Sequence, residues 1–185
     1  MTEREKMLAG ELYRVTDPEL REMHYKALSL TKQYNDLDPL DAENLAILLH
    51  EICHAGEGVE IKQPVRFDYG CHTYIGDRTF INYGFNCLDV CEVRIGSGVL
   101  IGPNVQLYAA THPIDPAIRR QGLENGKPIT IGDNVWIGGG TIVCPGVSIG
   151  DDSTIGAGSV VTKDIPPNSV AVGNPCRVVK TIETR

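Results

Sequence analysis

The stretch Ile131-Gly-Asp-Asn-Val-Trp-Ile137-Gly-Gly-Gly-Thr-Ile-Val143-Cys-Pro-Gly-Val-Ser-Ile149-Gly-Asp-Asp-Ser-Thr-Ile155-Gly-Ala-Gly-Ser-Val-Val161 decides the fold. A β-branched aliphatic residue returns at every sixth position, and Gly132, Gly138, Gly150 and Gly156 directly follow four of them. Val135, Thr141, Val147, Ser153, Ser159 and Ile165 hold the fifth place of the same units. Six residues do not fit the helical period of 3.6 and are too few for a helix-pair repeat, but they suffice for one short strand and one turn. Three such units close a triangular coil, and the inward residue of each unit then stacks on its equivalent in the next coil about 4.8 Å away. Glycine and small polar residues supply the corners. The expected fold is mainly β, a left-handed parallel β-helix.

A fainter series precedes this one: Ile75, Ile81 and Cys87, then Ile95, Ile101 and Leu107 after a two-residue change of register. From Leu107 to Ile131 the six-residue phase is kept, yet the repeat itself is broken from about 109 to 130. A protruding loop of that length in a tight solenoid points to function. It opens with His112, whose imidazole titrates near neutral pH and can take a proton from a hydroxyl. The residues alone leave two readings open, a general base or a turn histidine held by Pro113.

Solenoids need capped ends, and residues 1–58 read as a helical segment ahead of a coil spanning 59–185 with its C-terminal tail. Asp17-Pro18-Glu19 has the form of an N-cap, a first-turn proline and a first-turn acid. Leu20, Met23, His24, Ala27, Leu28, Thr31 and Tyr34 then fall on one stripe. Asp38-Pro39 repeats the start signal before a second stripe of Leu45, Leu48, Leu49, Ile52 and Cys53, with Gly56 and Gly58 as the stop.

Composition excludes several classes. The chain has 185 residues and a net charge of −7. Residues 1–60 carry 13 acids against 6 bases, whereas residues 61–185 carry 11 of each. An acidic front half argues against nucleic acid as partner. No run approaches the ~20 apolar residues that span a bilayer. Six cysteines without C-x-x-C spacing, and no export signal, read as reduced thiols in a cytoplasmic protein.

His50-Glu51-Ile52-Cys53-His54 matches H-E-x-x-H on an expected helix, the pattern of zinc proteases. No third ligand follows, and the helix runs straight into the solenoid. A zinc site of the gamma-class carbonic anhydrase kind needs three histidines, but the repeat region offers only His72 and His112. No metal is expected. The remaining alternative is a β-helix with a binding or structural role, since fold does not fix function.

Taken with Glu5-Lys-Met-Leu-Ala-Gly-Glu-Leu-Tyr-Arg14, Thr111-His112-Pro113-Ile114-Asp115-Pro116, Lys127-Pro-Ile-Thr-Ile-Gly132, Asn134-Val-Trp-Ile-Gly138, Val161-Thr-Lys-Asp-Ile-Pro-Pro167 and Gly173-Asn-Pro-Cys-Arg177, the repeat resembles the maltose and galactoside O-acetyltransferases among the hexapeptide-repeat acyltransferases. The resemblance covers nearly the whole chain and is nearer to the maltose enzymes. It implies acetyl-CoA as co-substrate, a sugar acceptor of the glucose or maltose kind acetylated at the 6-hydroxyl, and a homotrimer with active sites between subunits. It also implies His112 as base, with Asp68, Asn82 and Asp89 lining the acceptor pocket. Gly139, Ala157, Thr162, Lys163, Arg177 and Lys180 would contact acetyl-CoA, with Trp136 in or beside the same groove. Phe80 stands where some relatives have Tyr, and Lys180 where some have Arg.

Overall fold

The computed structural model describes residues 1–183. Its body is the expected left-handed parallel β-helix, a solenoid of about 6 turns with three faces. The first face stacks His54–Ala55, Thr73–Ile75, Val93–Ile95, Ile129–Ile131 and Ser148–Ile149. The second stacks Glu60–Ile61, Phe80–Ile81, Leu100–Ile101, Trp136–Ile137, Thr154–Ile155 and Ser169–Gly173, closed by the antiparallel strand Cys176–Thr181. The third stacks Val65–Phe67, Phe85–Leu88, Gln106–Tyr108, Ile142–Val143 and Val160–Val161.

The register turns the sequence repeat into three interior ladders. Ile75, Ile95, Ile131 and Ile149 are successive rungs of the first face. Ile61, Ile81, Ile101, Ile137, Ile155 and Ala171 run up the second. Phe67, Cys87, Leu107, Val143 and Val161 run up the third. All of these residues are buried. The fifth-place residues are buried too, and their hydroxyls satisfy corner carbonyls: Thr141 Oγ1 donates to Gly138 O at 2.7 Å and Ser153 Oγ to Pro166 O at 3.0 Å. A polar atom inside a narrow core is tolerated because it is paired there.

The two-residue change of register has a simple geometry. From Phe67 to Ile75, and again from Cys87 to Ile95, the chain takes eight residues instead of six to pass from the third face to the first. One turn higher, the same corner releases the loop that starts after Tyr108.

Among the described residues four helices accompany the coil. Helix α1 (Glu3–Leu8) carries a capping box between Thr2 and Glu5. Helix α2 (Pro18–Asp36) starts as expected, with the Asp17 carboxylate accepting from the N–H groups of Glu19 and Leu20. Its buried stripe is Leu20, Ala27, Thr31 and Tyr34, whereas Leu28 faces out. The second start signal fell three residues early. Asp38 closes a turn by accepting from Leu40 N, and Asp41 is the N-cap of helix α3 (Ala42–Ile52). That helix stops at Ile52 with an extended Cys53, before either glycine, and His54 already pairs in the first face. Helix α4 (Pro116–Arg119) lies in the loop. Met7, Tyr13, Leu20, Tyr34 and Leu49 belong to the same hydrophobic cluster as the ladders, so helices and coil share one core. Among the described residues no helix is long and apolar enough to cross a membrane.

A ladder residue inside the stack is packed above and below by its equivalents, so its truncation leaves a void that neighbours cannot fill without breaking register. Ile137→Ala, between Ile101 and Ile155, should cost about 2–5 kcal/mol, read as a lowered denaturant midpoint. Substitution at the exposed Thr130 of the same turn should change it little.

Candidate active site

The widened corner between the third and first faces is built around a buried carboxylate. Asp89 is 0% exposed. Its Oδ1 accepts from Tyr69 N at 2.8 Å and Gly70 N at 3.1 Å, and its Oδ2 from His72 N at 3.3 Å and Thr73 Oγ1 at 3.0 Å. Four donors compensate the desolvation of the charge. Asp89, expected to line the acceptor pocket, holds the turn that follows Asp68. His72 is buried as well, with Nδ1 donating to the Asp89 carbonyl at 2.8 Å.

Asp68 occupies the rung beneath Leu88 and Tyr108, half-buried at the mouth of that turn. Burial pushes its carboxyl up to about 6. The Asp89 charge adds to this, His24 opposes it and Glu124 adds a smaller push. His24 stands on α2, where its Nδ1 donates to the Asp68 carbonyl at 2.8 Å.

The loop is an ordered arm. Ala110–Thr111 leads out and Leu123–Gly126 returns antiparallel to it, with Thr111 opposite Asn125. Tyr13–Arg14 of the N-terminal segment pairs on the other side of the returning strand, with Tyr13 opposite Glu124. The Tyr13 hydroxyl donates to Glu124 Oε2 at 3.1 Å. His112 directly follows Thr111 and Glu124 directly precedes Asn125, so the two stand at the same level of the arm. His112 is exposed, and the Arg119 guanidinium holds the backbone after it by donating to the carbonyls of Pro113 and Ile114. A cavity of about 480 Å³ lies at the foot of the arm, with Tyr13, Val15, His24, Asp68, Tyr69 and Glu124 in its wall.

The remaining expected residues lie elsewhere. Asn82, Gly139 and Ala157 stack at the corner between the second and third faces, so one chain does not bring Asn82 to His112. Asn82 Oδ1 accepts from Tyr83 N at 2.8 Å, which leaves its amide N–H groups as donors. Corner packing there is tight: a Cβ on Gly138 would come 2.4 Å from Ala157 N. Trp136 is 56% exposed and Leu100, its neighbouring rung on the outer surface of the second face, is 51% exposed. Thr162 and Lys163 follow the last strand of the third face, which contacts the closing strand that carries Arg177 and Lys180. All four are exposed.

The H-E-x-x-H residues do not form a helical ligand pair. His50 lies on α3 and His54 on the coil, both exposed, with the His54 ring stacked on Tyr74 at 4.4 Å. Among the described residues no group of three or more His, Cys, Asp or Glu side chains is arranged to hold a metal. All six thiols are free. Cys87 fills a ladder position, and burial pushes its thiol up, as it does that of Cys71. Neither resembles an activated nucleophile, which needs a lowered thiol pKa. Sequence reasoning missed Tyr13, His24 and Glu124 as site residues. Glu124 sits inside the interrupted segment that His112 opens, and that was the available signal.

A triangular β-helix with an arm at one corner and a basic closing strand fits the hexapeptide-repeat acyltransferase class that the repeat resembles. Two family models match: the bacterial transferase hexapeptide (six repeats) over residues 128–163 and the maltose acetyltransferase hexapeptide capping motif over residues 6–55. The crystal structure of a maltose O-acetyltransferase from Clostridium difficile 630 is 49% identical, with TM-score 0.98, covering 100% of this chain and 99% of that one. A galactoside acetyltransferase in complex with coenzyme A is 41% identical, with TM-score 0.96, covering 99% and 92%. Nodulation protein L of Rhizobium meliloti (strain 1021) is 48% identical over 178 residues, 96% of this chain and 97% of the relative. The chain belongs to the maltose and galactoside O-acetyltransferase family and is an acetyl-CoA-dependent O-acetyltransferase.

Asp68 makes a pH-dependent prediction. Its folded pKa lies above the unfolded value. The folded chain therefore holds the proton through a window from about pH 4 to about pH 6 that the unfolded chain does not, and stability falls as pH rises through that window. Asp68→Asn should raise the melting temperature at about pH 7.5, and the gain should shrink toward about pH 4. A lower melting temperature at the higher pH would contradict the assignment.

Proposed function

We propose that the protein transfers acetyl from acetyl-CoA to the 6-hydroxyl of a glucose- or maltose-like sugar, in sites completed between the subunits of a homotrimer. The single observation that carries this reading is the division of the site. His112 and Asp68 stand at one corner of the coil, whereas Asn82, Gly139 and Ala157 stand at another. A neighbouring subunit that packs the second face of one coil against the arm of another unites them. The exposed Trp136 and Leu100 supply apolar surface for that contact.

In this reading His112 takes the hydroxyl proton as the oxygen attacks the thioester carbonyl. The C–O bond forms, the C–S bond breaks, and the proton passes to the departing thiolate. The Gly139 N–H holds the developing oxyanion. The base contributes roughly 10²–10⁴ in rate and the oxyanion donor roughly 10²–10³, and joint positioning of the two substrates supplies much of the remainder. Asp68 and Asn82 hold the acceptor, and Asp89 acts through the turn it fixes. Lys163, Arg177 and Lys180 meet the phosphates of CoA, with Thr162, Ala157 and Trp136 along its path. The N-terminal helical segment serves as the cap, and the coil that follows it, whose first rung is His54–Ala55, as the catalytic body. The supply of acetyl-CoA fits a cytoplasmic setting.

His112→Ala should lower turnover by at least about a hundredfold while circular dichroism and assembly size stay unchanged. Near-normal CoA release by the folded variant would falsify the base assignment. A preference for serine or chloramphenicol over glucose and maltose in the same assay would remove the sugar. Arg177→Ala and Lys163→Ala should raise the KM for acetyl-CoA and leave that for the acceptor nearly unchanged, the more so at low salt. A change confined to acceptor KM would count against their role.

A further inference from the structure

The cavity at the foot of the arm has unlike ends. Asp68 and Glu124, acceptors only when ionised, line it on the side of the coil and the arm. On the side of α2, Thr16, Arg21 and Tyr25 line both this cavity and a second one of about 390 Å³, so the two meet there. The Arg21 guanidinium lies 5.9 Å from the centroid of the Tyr25 ring and donates to its hydroxyl at 3.1 Å. Among the described residues no carboxylate pairs with Arg21. The nearby acids are used otherwise or stay apart from it. Asp17 caps α2, Glu19 pairs with Arg4 at 3.2 Å, and Glu22, in the wall of the second cavity, makes no ion pair. Most of the guanidinium N–H groups, and the proton of the Tyr25 hydroxyl, are therefore open to a ligand where the cavities join. Such a set of donors beside a full positive charge suits anionic oxygen.

Resting on the sugar-acetyltransferase reading above, we propose that Arg21 and Tyr25 form a subsite for a negatively charged substituent of the acceptor, and that the acceptor class is a hexose phosphate with a free 6-hydroxyl. Such a molecule matches both ends. Its ring hydroxyls donate to Asp68 and Glu124, and its phosphate oxygens take the forked N–H groups of Arg21 and the Tyr25 O–H. The second cavity, which neither Asp68 nor Glu124 lines, gives the phosphate room away from the two carboxylates. The reaction restricts where the charge can stand. In a hexose 6-phosphate or a hexuronate the 6-oxygen is already esterified or oxidised and cannot attack. The charge must lie elsewhere on the ring, as on the anomeric oxygen of a hexose 1-phosphate. The 6-hydroxyl oxygen then forms the C–O bond as the thioester C–S bond breaks. Its proton passes by way of His112 to the departing thiolate, and the phosphate is retained in the product.

The test compares kcat/KM for glucose 1-phosphate and for methyl glucoside at neutral pH and saturating acetyl-CoA, in the wild type and in Arg21→Gln. The wild type should prefer the phosphate by about tenfold or more, the scale of one charge-assisted hydrogen bond, and added salt should narrow the ratio. In Arg21→Gln the ratio should fall to about one or below, since the two carboxylates remain, whatever the absolute rate of that variant. Tyr25→Phe should lower the ratio by a smaller factor. Equal or better use of methyl glucoside by the wild type would overturn the proposal and leave sugar acetylation standing. A preference for the phosphate that persists undiminished in Arg21→Gln would overturn it as well. Acetyl transfer to no sugar at all would remove both readings.

Discussion

Coil-to-coil hydrogen bonding in strict register is the constraint on which the rest of the structure depends. Each strand has only two to four residues in most turns, too few to persist alone. Each is fixed by bonds to the strand below and the strand above, such as Gly102 N to Ile137 O and Gly138 N to Ile155 O, both within hydrogen-bonding range. A slip by one residue would turn Ile101, Ile137 and Ile155 outward together. The ladders therefore act as a single unit, and every side chain outside them is positioned by how many residues its corner contains.

That dependence explains where the site sits. Corners of constant length stack on one another and offer little but repeated backbone. The corner between the third and first faces is longer in two successive turns, and in the next it becomes the arm. Extra residues there leave the register of the coil untouched, since Leu107 and Val143 still oppose each other directly. The added chain has its own obligations, and Asp89 meets them by taking the N–H groups of Tyr69, Gly70 and His72. The arm is likewise stiffened by pairing with Tyr13–Arg14, so His112 is carried on a short sheet. A catalytic group on such a support keeps its orientation better than one on a free loop.

Much of this was legible in the residues. The six-residue period of Ile131 to Val161 fixed the inward ladders, and the change of phase between Cys87 and Ile95 marked the wide corner without saying what filled it. Asp17-Pro18 announced α2 because a cap and a proline act locally. Asp38-Pro39 misled because the same chemistry closes a turn as readily as it opens a helix, and only the packing of Leu49 and Ile52 decides between them. The burial of Asp89 was not legible, because a carboxylate in sequence carries no mark of it; its four donors come from residues 16 to 20 positions away. Glu124 was hidden for the opposite reason, since its place depends on which strand the arm chooses as neighbour.

The antiparallel strand Cys176–Thr181 has one further consequence. A parallel coil ends on a rung whose N–H and C=O groups point along the stack, and another coil could continue from it without limit. Here the last parallel strand of the second face, Ser169–Gly173, is matched by a strand running the other way. Val170 opposes Lys180 and Val172 opposes Arg177, so the surface presented beyond it is charged and of the wrong polarity to accept a further parallel turn. The hairpin that holds Arg177 and Lys180 thus also bounds the stack, and a fold built by repetition stays a discrete particle and not a growing fibre.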